Sequence, residues 1–273
     1  MRYVAAVALV ALLAGCASSG TTTSSGPTPQ PMNAKPFTMQ NDVGGCTEDV
    51  GLLLVAPADA QRLLPAGWIA ADARAFLGTP VDTGQGLLWL NGYSCATSTL
   101  GGPDLSGAEI SVLVNAPTLV NGTVPSSSFH TYELTHVTSN ATFATLLRSI
   151  GLPTIVGTVT NDAPLPGGMV NRGVQVHAGT DVLYSVRFLG TPNQPLTGTA
   201  TFWHESGNGT MYTRYETSNT PLDEGYVTAC AIGPLVAALI QQTTCPATTL
   251  GARATTATFT GTLAWMPGAH TAK

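Results

Sequence analysis

Charged residues are scarce in this sequence: Asp, Glu, Lys and Arg together make up 9% of its 273 residues. The only two lysines, Lys35 and Lys273, stand near the two ends, and the stretch between them has none. Phosphate binding needs clustered Lys and Arg, whereas the formal net charge here is −5. The composition therefore predicts a protein that does not bind nucleic acid and that has no lysine nucleophile in the body of the chain.

Several motifs of common enzymes are also absent. The chain has no G-x-S-x-G, the usual nucleophile elbow of serine hydrolases. Neither a P-loop nor a G-x-G-x-x-G motif follows a predicted strand, so no nucleotide site is expected. No two cysteines have the C-x₂-C spacing of thiolate metal sites. The sequence accordingly predicts no cofactor and no metal.

The N-terminal apolar run is too short to span a bilayer, which takes about 20 residues. It covers residues 3–13 and follows Arg2, as in a secretion signal. The sequence L-A-G-C at residues 13–16 resembles the lipobox of bacterial lipoproteins, in which the new N-terminal cysteine carries lipid such as palmitate. We therefore expect a signal peptide over residues 1–15 and lipidation of Cys16. The alternative is a signal whose cleavage site merely contains a cysteine.

Residues 16–37 are nearly free of charge and rich in Ser, Thr, Gly and Pro. Such a segment buries too little to fold, so it serves as a spacer between lipid and domain. No second linker and no internal repeat interrupts residues 38–268, which are expected to form a single domain. The prediction is a bacterial cell-envelope protein, tethered to a membrane by its lipid, with the domain on the extracytoplasmic side.

Four cysteines remain besides the lipobox cysteine, an even number that can pair fully in an oxidising compartment. Four cysteines allow three connectivities. If residues 49–56 and 86–94 form adjacent antiparallel strands, Cys46 lies opposite Cys95. The favoured disulfides are therefore Cys46–Cys95 and Cys230–Cys245.

Hydrophobic residues make up 44% of the chain, and 30 Gly and 19 Pro interrupt its elements often. Ten runs with partial alternation of apolar and polar residues predict strands. They cover residues 49–56, 86–93, 108–116, 129–137, 154–162, 172–178, 182–189, 199–205, 210–216 and 256–265. The S-G-N-G turn at residues 206–209 predicts a hairpin between two of them. This pattern is typical of a mainly β (α+β) fold, either a barrel or a sandwich.

About three short helices interrupt the strands. Pro57 and Pro234 begin two of them, because a proline at the first helical position loses no hydrogen bond. These helices are expected near residues 57–64 and 234–242. The third is capped by Ser139 or Asn140 and carries a buried stripe at helical spacing. It ends at a glycine that can take the left-handed conformation, Gly151.

The order of these elements resembles that of the acetoacetate decarboxylase family. In GLLLVAPADAQRLLPAGWIA (51–70) a strand leads into a short helix that ends in Leu-Pro. In YELTHVTSNATFATLLRSIGLPTIVGTV (132–159) a strand and a helix are followed by a proline and another strand. The resemblance covers about residues 48–162. It implies an acetoacetate decarboxylase-like β-barrel with an internal ligand cavity.

The family's chemistry is not matched. Its members carry two lysines after that proline, and one of them forms an imine with a keto acid. Thr154 and Ile155 stand at these positions. The stretch is therefore interpreted as a cavity wall without an imine-forming amine. The family's substrate-orienting arginine and glutamates have no assigned counterparts, although Glu109 lies on a strand expected near the cavity.

Ligand cavities are mostly apolar with a few convergent polar groups. The residues expected to contact a small ligand in the barrel are Trp89, Glu109, His130, Tyr132 and Thr154.

Strand parity puts His130, Tyr132 and His136 on one face and Glu133 on the other. Two histidines six residues apart on a strand lie about 20 Å apart, too far to share a metal. The acidic pair at residues 223–224 is interpreted as a solvated turn.

The function favoured by the sequence is therefore a lipid-anchored, exported protein that binds a small apolar or amphipathic ligand, without Schiff-base decarboxylase activity. One alternative is an enzyme of the same fold that uses a non-lysine acid or base, with Glu109, Glu133, His130 and His136 as candidates. A second alternative is an envelope scaffold without any ligand, which a fully packed interior would favour.

Overall fold

The computed structural model of the protein describes residues 35–78, 81–164, 170–245 and 249–272. Its strands are β1 (Phe37–Gln40), β2 (Val43–Val55), β3 (Gly86–Cys95), β4 (Thr97–Ser98), β5 (Leu105–Val114), β6 (Phe129–Thr138), β7 (Thr154–Val156), β8 (Thr158–Pro164), β9 (Val170–Ala178), β10 (Asp181–Pro192), β11 (Leu196–Ser206), β12 (Gly209–Thr220), β13 (Leu222–Ile232) and β14 (Leu250–Pro267). Its helices are α1 (Pro57–Arg62), α2 (Ala73–Leu77), α3 (Ala141–Ser149) and α4 (Pro234–Ile240). No helix among the described residues is long and apolar enough to cross a membrane.

Seven strands close into a barrel in the order β2-β3-β5-β6-β11-β12-β14, and β14 pairs back with β2. Most neighbours are antiparallel, while β6 and β11 run parallel. The β11–β12 hairpin turns at residues 206–209, as the S-G-N-G sequence predicted. The mainly β fold with a barrel is therefore confirmed.

The long strand β14 joins the barrel to a second layer. Its first half pairs with both β2 and β13, and its second half pairs with β12 and β1. From β13 the sheet continues through β10 and β9 to β8, and this layer packs on the outer face of β2, β3 and β5. A Cβ on Gly92 would lie 2.3 Å from Cγ2 of Val174 on β9. Glycine at this position thus permits the close approach of the two layers.

Two apolar clusters hold this arrangement together. The larger one lies outside the barrel wall and includes Leu53, Leu90 and Ile110 with residues of the second layer such as Tyr184. A second cluster joins α3 to the barrel through Phe143, Leu147, Met211 and other side chains. Burial of apolar area at about 25 cal/mol per Å² is the main stabilising term at both places.

Helix α3 has the boundaries expected from its sequence. The backbone N–H of Phe143 donates to Oδ1 of Asn140 at 2.8 Å, so Asn140 is the N-cap. Gly151 follows the helix with φ +98°, a backbone conformation that residues other than glycine rarely adopt. The chain then turns into β7 directly after Pro153.

The cysteines are paired as favoured from the sequence. Cys46 on β2 bonds to Cys95 at the end of β3, its neighbouring strand, and Cys230 bonds to Cys245. The first pair is buried in an apolar cluster with Val43. The predicted signal peptide, Cys16 and most of the linker lie outside the described residues.

Several details differ from the expectations. Residues 154–162 form two strands, because β7 pairs with β6 and β8 pairs with β9. The acidic pair at 223–224, expected in a turn, lies within β13, where pairing with β10 and β14 on both sides fixes an extended backbone. A fourth helix, α2, was not expected. The first strand starts at Phe37, and Thr271 still pairs with Leu119 beyond the last strand.

Candidate functional site

The barrel encloses a cavity of about 670 Å³. Inward-facing side chains of β2, β3, β5, β11, β12 and β14 line most of it, and α2 contributes Phe76 and Leu77. Leu196 and Tyr226 line it as well and are exposed to solvent, so the cavity opens near them. A space of this size fits a small organic molecule.

One wall of the cavity is aromatic. The ring centroid of Phe129 lies 4.7 Å from that of Phe76 and 5.5 Å from that of Trp89. Phe202 and Tyr215 add a second aromatic pair from β11 and β12, 6.3 Å apart. Such rings offer a large apolar contact area with little loss of rotamer freedom.

A polar patch, formed by Glu48, Asn91 and Glu109, interrupts this apolar lining. The side-chain amide of Asn91 donates to Oε1 of Glu48 at 2.7 Å and to Oε2 of Glu109 at 3.4 Å. Oδ1 of Asn91 accepts from the backbone N–H of Glu109 at 2.7 Å. From the outer layer, the hydroxyl of Tyr184 donates to the backbone oxygen of Asn91. The amide is thus held from several directions and keeps two carboxyl groups close together.

Two further titratable side chains lie beside Glu109. Nδ1 of His136 lies 2.7 Å from Oε1 of Glu133 and 4.0 Å from Oε1 of Glu109. Nε2 of the same histidine lies 3.3 Å from the hydroxyl of Tyr93, which also lines the cavity. The side chains of Glu109, Glu133 and His136 are all at least 95% buried.

A bulge in β6 places Glu133 and His136 on the same face. Ile110 pairs with Thr135, whereas the next residue, Ser111, pairs with Glu133, so Leu134 has no partner on β5. The extra residue reverses the alternation of side chains along the strand. The expected separation of Glu133 from His136 by parity is therefore wrong.

Burial determines the protonation of this group. It raises the pKa of Glu109 well above its usual range, and the charge of Glu133 adds to the shift. Burial raises the pKa of Glu133 to about 8 and lowers that of His136, which the charge of Glu109 partly opposes. The pKa of Glu48 is also raised by burial. At neutral pH the carboxyl groups of Glu109 and Glu133 therefore tend to hold protons, while the imidazole of His136 stays uncharged.

The group can hold a positive charge. Three potential ligand atoms, a carboxylate oxygen of Glu109, a carboxylate oxygen of Glu133 and a ring nitrogen of His136, lie within 4.8 Å of one another. A cation near these carboxyls would lower their pKa values and replace their protons. The arrangement therefore supports proton transfer or cation binding. The sequence had not suggested this, because only His130 and His136 were considered there, and these two lie too far apart to share a cation.

The residues expected to contact a ligand lie in different places. Trp89 and Glu109 line the cavity. His130 and Tyr132 face the opposite side of β6, where His130 Nδ1 accepts from Trp203 Nε1 at 3.0 Å and the Tyr132 hydroxyl donates to a backbone oxygen. Both residues precede the bulge at Leu134, and the bulge reverses the alternation. They therefore point to the face of β6 opposite to that of His136.

Thr154 is also outside the cavity lining. Its hydroxyl donates to the backbone oxygen of Leu152 at 3.0 Å, and its backbone oxygen accepts from Nε of Arg148. The residue pairs with His136 at the edge of the barrel next to α3. The interpretation of this stretch as a cavity wall is therefore corrected: β7 is a short edge strand.

Several polar residues of the cavity were not identified from the sequence, and Glu48, Asn91 and Tyr93 are those at the polar patch. A signal was present on β3, because Asn91 has the same parity as Trp89 in an otherwise apolar strand. The same signal was present on β2, because Glu48 has the parity of the apolar residues Cys46 and Val50.

Comparisons with known proteins identify the fold. No family model and no curated protein matches the chain. Among solved structures, the enduracididine biosynthesis enzyme MppR complexed with pyruvate matches at a TM-score of 0.53 and 11% identity, over 85% of this chain and 90% of MppR. An acetoacetate decarboxylase matches at a TM-score of 0.53 and 8% identity, over 86% and 89% of the two chains.

An acetoacetate decarboxylase-like enzyme from Sphingomonas wittichii RW1 is also similar, with a TM-score of 0.50 and 14% identity over 93% of this chain and the whole of that one. At such identities the likeness shows the fold alone. The fold is therefore acetoacetate decarboxylase-like, as the element order had indicated.

Proposed function

We propose that the protein is an exported, lipid-anchored binding protein that holds a small amphipathic molecule in its barrel. The observation that carries this proposal is the cavity of about 670 Å³, with an aromatic wall and one polar patch. This combination is typical of small-molecule sites, in which apolar area gives affinity and a few polar groups fix the orientation. An envelope scaffold needs no such space, because a packed interior is more stable.

The lining indicates how the molecule would be held. Its apolar body lies against Trp89 and Phe129, and its polar head lies at Asn91 and Glu109. His130, Tyr132 and Thr154 are not part of this contact set, since they lie outside the cavity.

Imine chemistry is not part of the proposal. MppR, which has a similar fold, has a solved complex with pyruvate, a keto acid. In this chain no lysine occurs between Lys35 and Lys273, so the interior lacks the amine that an imine requires.

Membrane attachment rests on the sequence. The lipobox-like residues 13–16 precede a spacer of low charge, and the spacer reaches the start of the barrel domain at Phe37. Several acyl chains on one cysteine anchor firmly, because each buried CH₂ contributes about 0.8 kcal/mol.

Mass spectrometry of small molecules that co-purify with the protein tests the binding role. Ala200 lines the cavity, so the bulky side chain of Ala200→Trp should occupy part of the space and exclude the bound molecule. The matched control is Ala229→Trp, because Ala229 is exposed on β13. Retention of the same molecule by both variants would contradict a ligand site in the barrel.

A second candidate is an enzyme that uses these carboxyls. The contact of Glu133 with His136 beside Glu109, with a pKa of about 8 at Glu133, is the observation that favours it. Perturbed groups in a cavity are typical of acid and base catalysts. The co-purified molecule decides between the two roles: an enzyme converts it on incubation and Glu109→Gln stops the conversion, whereas a binding protein returns it unchanged.

A further inference from the structure

We propose that the molecule held in the barrel is a cation, an amphiphile with an ammonium or amidinium head on an apolar body. This inference rests on the proposed binding function and specifies its ligand class. It follows from the signs of the charges around the cavity and from a buried hydroxyl two residues from Glu109, on the same strand, that lacks a partner.

The lining carries acidic groups and no basic ones. Glu48, Glu109 and Glu224 contribute carboxyls, and Glu133 stands directly behind Glu109. Among the described residues that line the cavity there is no Lys, Arg or His. An anionic head would find no counter-charge among these groups, whereas a cationic head would favour the ionised form of the carboxyls and pair with it.

The arginines near the barrel have other partners. Arg253 lies on the face of β14 turned away from the cavity, where it pairs with Asp49 at 3.1 Å and with Asp162. Arg214 pairs with Glu216. Neither is therefore available to neutralise the polar patch.

Independent support comes from a buried hydroxyl without a partner. Oγ of Ser111 has no hydrogen-bond partner in the described part of the chain, and the residue is 0% exposed. Ser111 has the same inward parity as Glu109 and pairs with Trp89 and Glu133 on the neighbouring strands. Its oxygen can accept a hydrogen bond from an N–H donor of a ligand head held at Glu109.

The aromatic wall suits the same chemistry. Phe76, Trp89 and Phe129 form a group whose ring centroids lie 4.7 to 6.0 Å apart. Aromatic faces attract cations, and quaternary ammonium groups are often held in this way. Burial raises the pKa of Glu109, so its carboxyl tends to hold a proton, which a bound cation would displace.

An inorganic ion explains less of the structure. A metal at Glu109, Glu133 and His136 would compete with the 2.7 Å contact between Glu133 and His136. It would also leave the apolar cavity and its aromatic wall without a role. An organic cation uses both the carboxyls and the apolar space.

Calorimetric titration of the purified full-length protein with four octyl probes tests the proposal. The probes are octyltrimethylammonium, octylamine, octan-1-ol and octanoate, which share the chain and differ in charge. We expect both cations to bind at least tenfold more tightly than the alcohol, and octanoate to bind most weakly. Octanol or octanoate binding as tightly as the cations would overturn the cationic ligand but keep the binding function.

Failure of all four probes to bind would overturn both proposals. If the octyl cations fail to bind while Zn²⁺ or Mn²⁺ binds, the organic ligand is wrong and the site binds a metal ion. Glu109→Gln should reduce the advantage of the cations over octanol at least tenfold, while octanol still binds. Glu216→Gln, on the outer face of the barrel, is the matched control. It should change neither the affinity for the cations nor the affinity for octanol.

Discussion

Nδ1 of His136 lies 2.7 Å from Oε1 of Glu133, although the two residues are three apart on one strand. In a regular strand they would point to opposite faces. The unpaired Leu134 between them brings both to the interior beside Glu109. Because bulges often adjust side chains at functional sites, this irregularity marks the part of the barrel where chemistry or recognition is expected.

The first prediction concerns the stability of the protein against pH. The pKa of Glu133 is about 8 in the folded protein and near 4.5 in the unfolded chain, so the unfolded state releases this proton first. The free energy of unfolding should therefore fall as pH rises from 4.5 to 8. The lowered pKa of His136 makes the free energy of unfolding rise with pH, but only below about 6.5, the usual pKa of a histidine. The effect of Glu133 is therefore measured between pH 6.5 and 8.

In that window Glu133 should contribute a slope of up to about 1.4 kcal/mol per pH unit, and Glu109 should add to it. Glu133→Gln should flatten the slope and make the protein more stable than the parent at pH 8. Urea unfolding at several pH values measures both effects. Glu216→Gln, at an exposed ion pair, is the control. Equal slopes for Glu133→Gln and the parent protein would contradict the raised pKa.

The second prediction is that binding of an ammonium probe releases protons. The titratable groups at the polar patch are Glu48, Tyr93 and Glu109, and Glu133 and His136 lie next to Glu109. The carboxyls among them have raised pKa values because of burial, and a bound cation lowers these values. Affinity should therefore rise as pH increases from 6 to 8.

Titrations in two buffers with different ionisation enthalpies, such as phosphate and Tris, count the released protons. We expect up to about one proton per bound octyltrimethylammonium at pH 7, and none for octan-1-ol. Identical apparent enthalpies in both buffers would show that the carboxyls do not take part.

The third prediction compares the two disulfides. They close segments with sequence separations of 49 and 15 residues. In the chain-entropy model these loops contribute about 4 and about 3 kcal/mol. Replacing both Cys46 and Cys95 by alanine should thus lower the free energy of unfolding more than the same change at Cys230 and Cys245. Urea unfolding of both double variants under non-reducing conditions gives the comparison. The reverse order would mean that contacts around the second pair outweigh loop length.

The positions of most barrel strands along the sequence were predictable because each strand has an apolar face that alternates with its other face. The sequence around Trp89 and Glu109 carried this pattern, and both residues line the cavity. The disulfides followed from the antiparallel pairing of β2 and β3, which sets the two ends of these strands side by side.

The polar group beside Glu109 could not be predicted by the same argument. Parity fails at Leu134 because a bulge depends on how the two neighbouring strands fit, and a single strand does not record it. Helix α2 is five residues long, too short to show a helical period, yet it brings Phe76 to the cavity. Strand β13 (LDEGYVTACAI) shows weak alternation of apolar and polar residues, and its extended backbone is held by pairing with β10 and β14.

The fourth prediction concerns membrane attachment. If lipid on Cys16 is the anchor, Cys16→Ser should move the protein from the membrane fraction to the soluble fraction after cell lysis. The substitution changes one atom in a segment outside the barrel, so folding of the domain should be unaffected. Separation of the fractions by ultracentrifugation measures the change, and Ser18→Ala in the spacer is the control. Membrane association that survives Cys16→Ser would point to another means of attachment.

The last prediction concerns imine formation. The interior has no lysine between Lys35 and Lys273, so pyruvate or acetoacetate with borohydride should leave no adduct on any residue that lines the barrel. Peptide mapping by mass spectrometry separates the interior from the two terminal lysines, which serve as internal controls. Decarboxylation of acetoacetate should likewise not exceed the rate in buffer.

Introduction of lysine sharpens the same test. Thr154→Lys should not create a trapping site, because Thr154 lies in edge strand β7 outside the cavity, and burial of an ammonium there should cost several kcal/mol of stability. Trp89→Lys places the amine in the cavity itself, near the carboxyl of Glu109. A trapped adduct in Trp89→Lys and none in Thr154→Lys would agree with the placement of β7. An adduct inside the unmodified barrel would overturn the binding function and restore imine chemistry to this fold member.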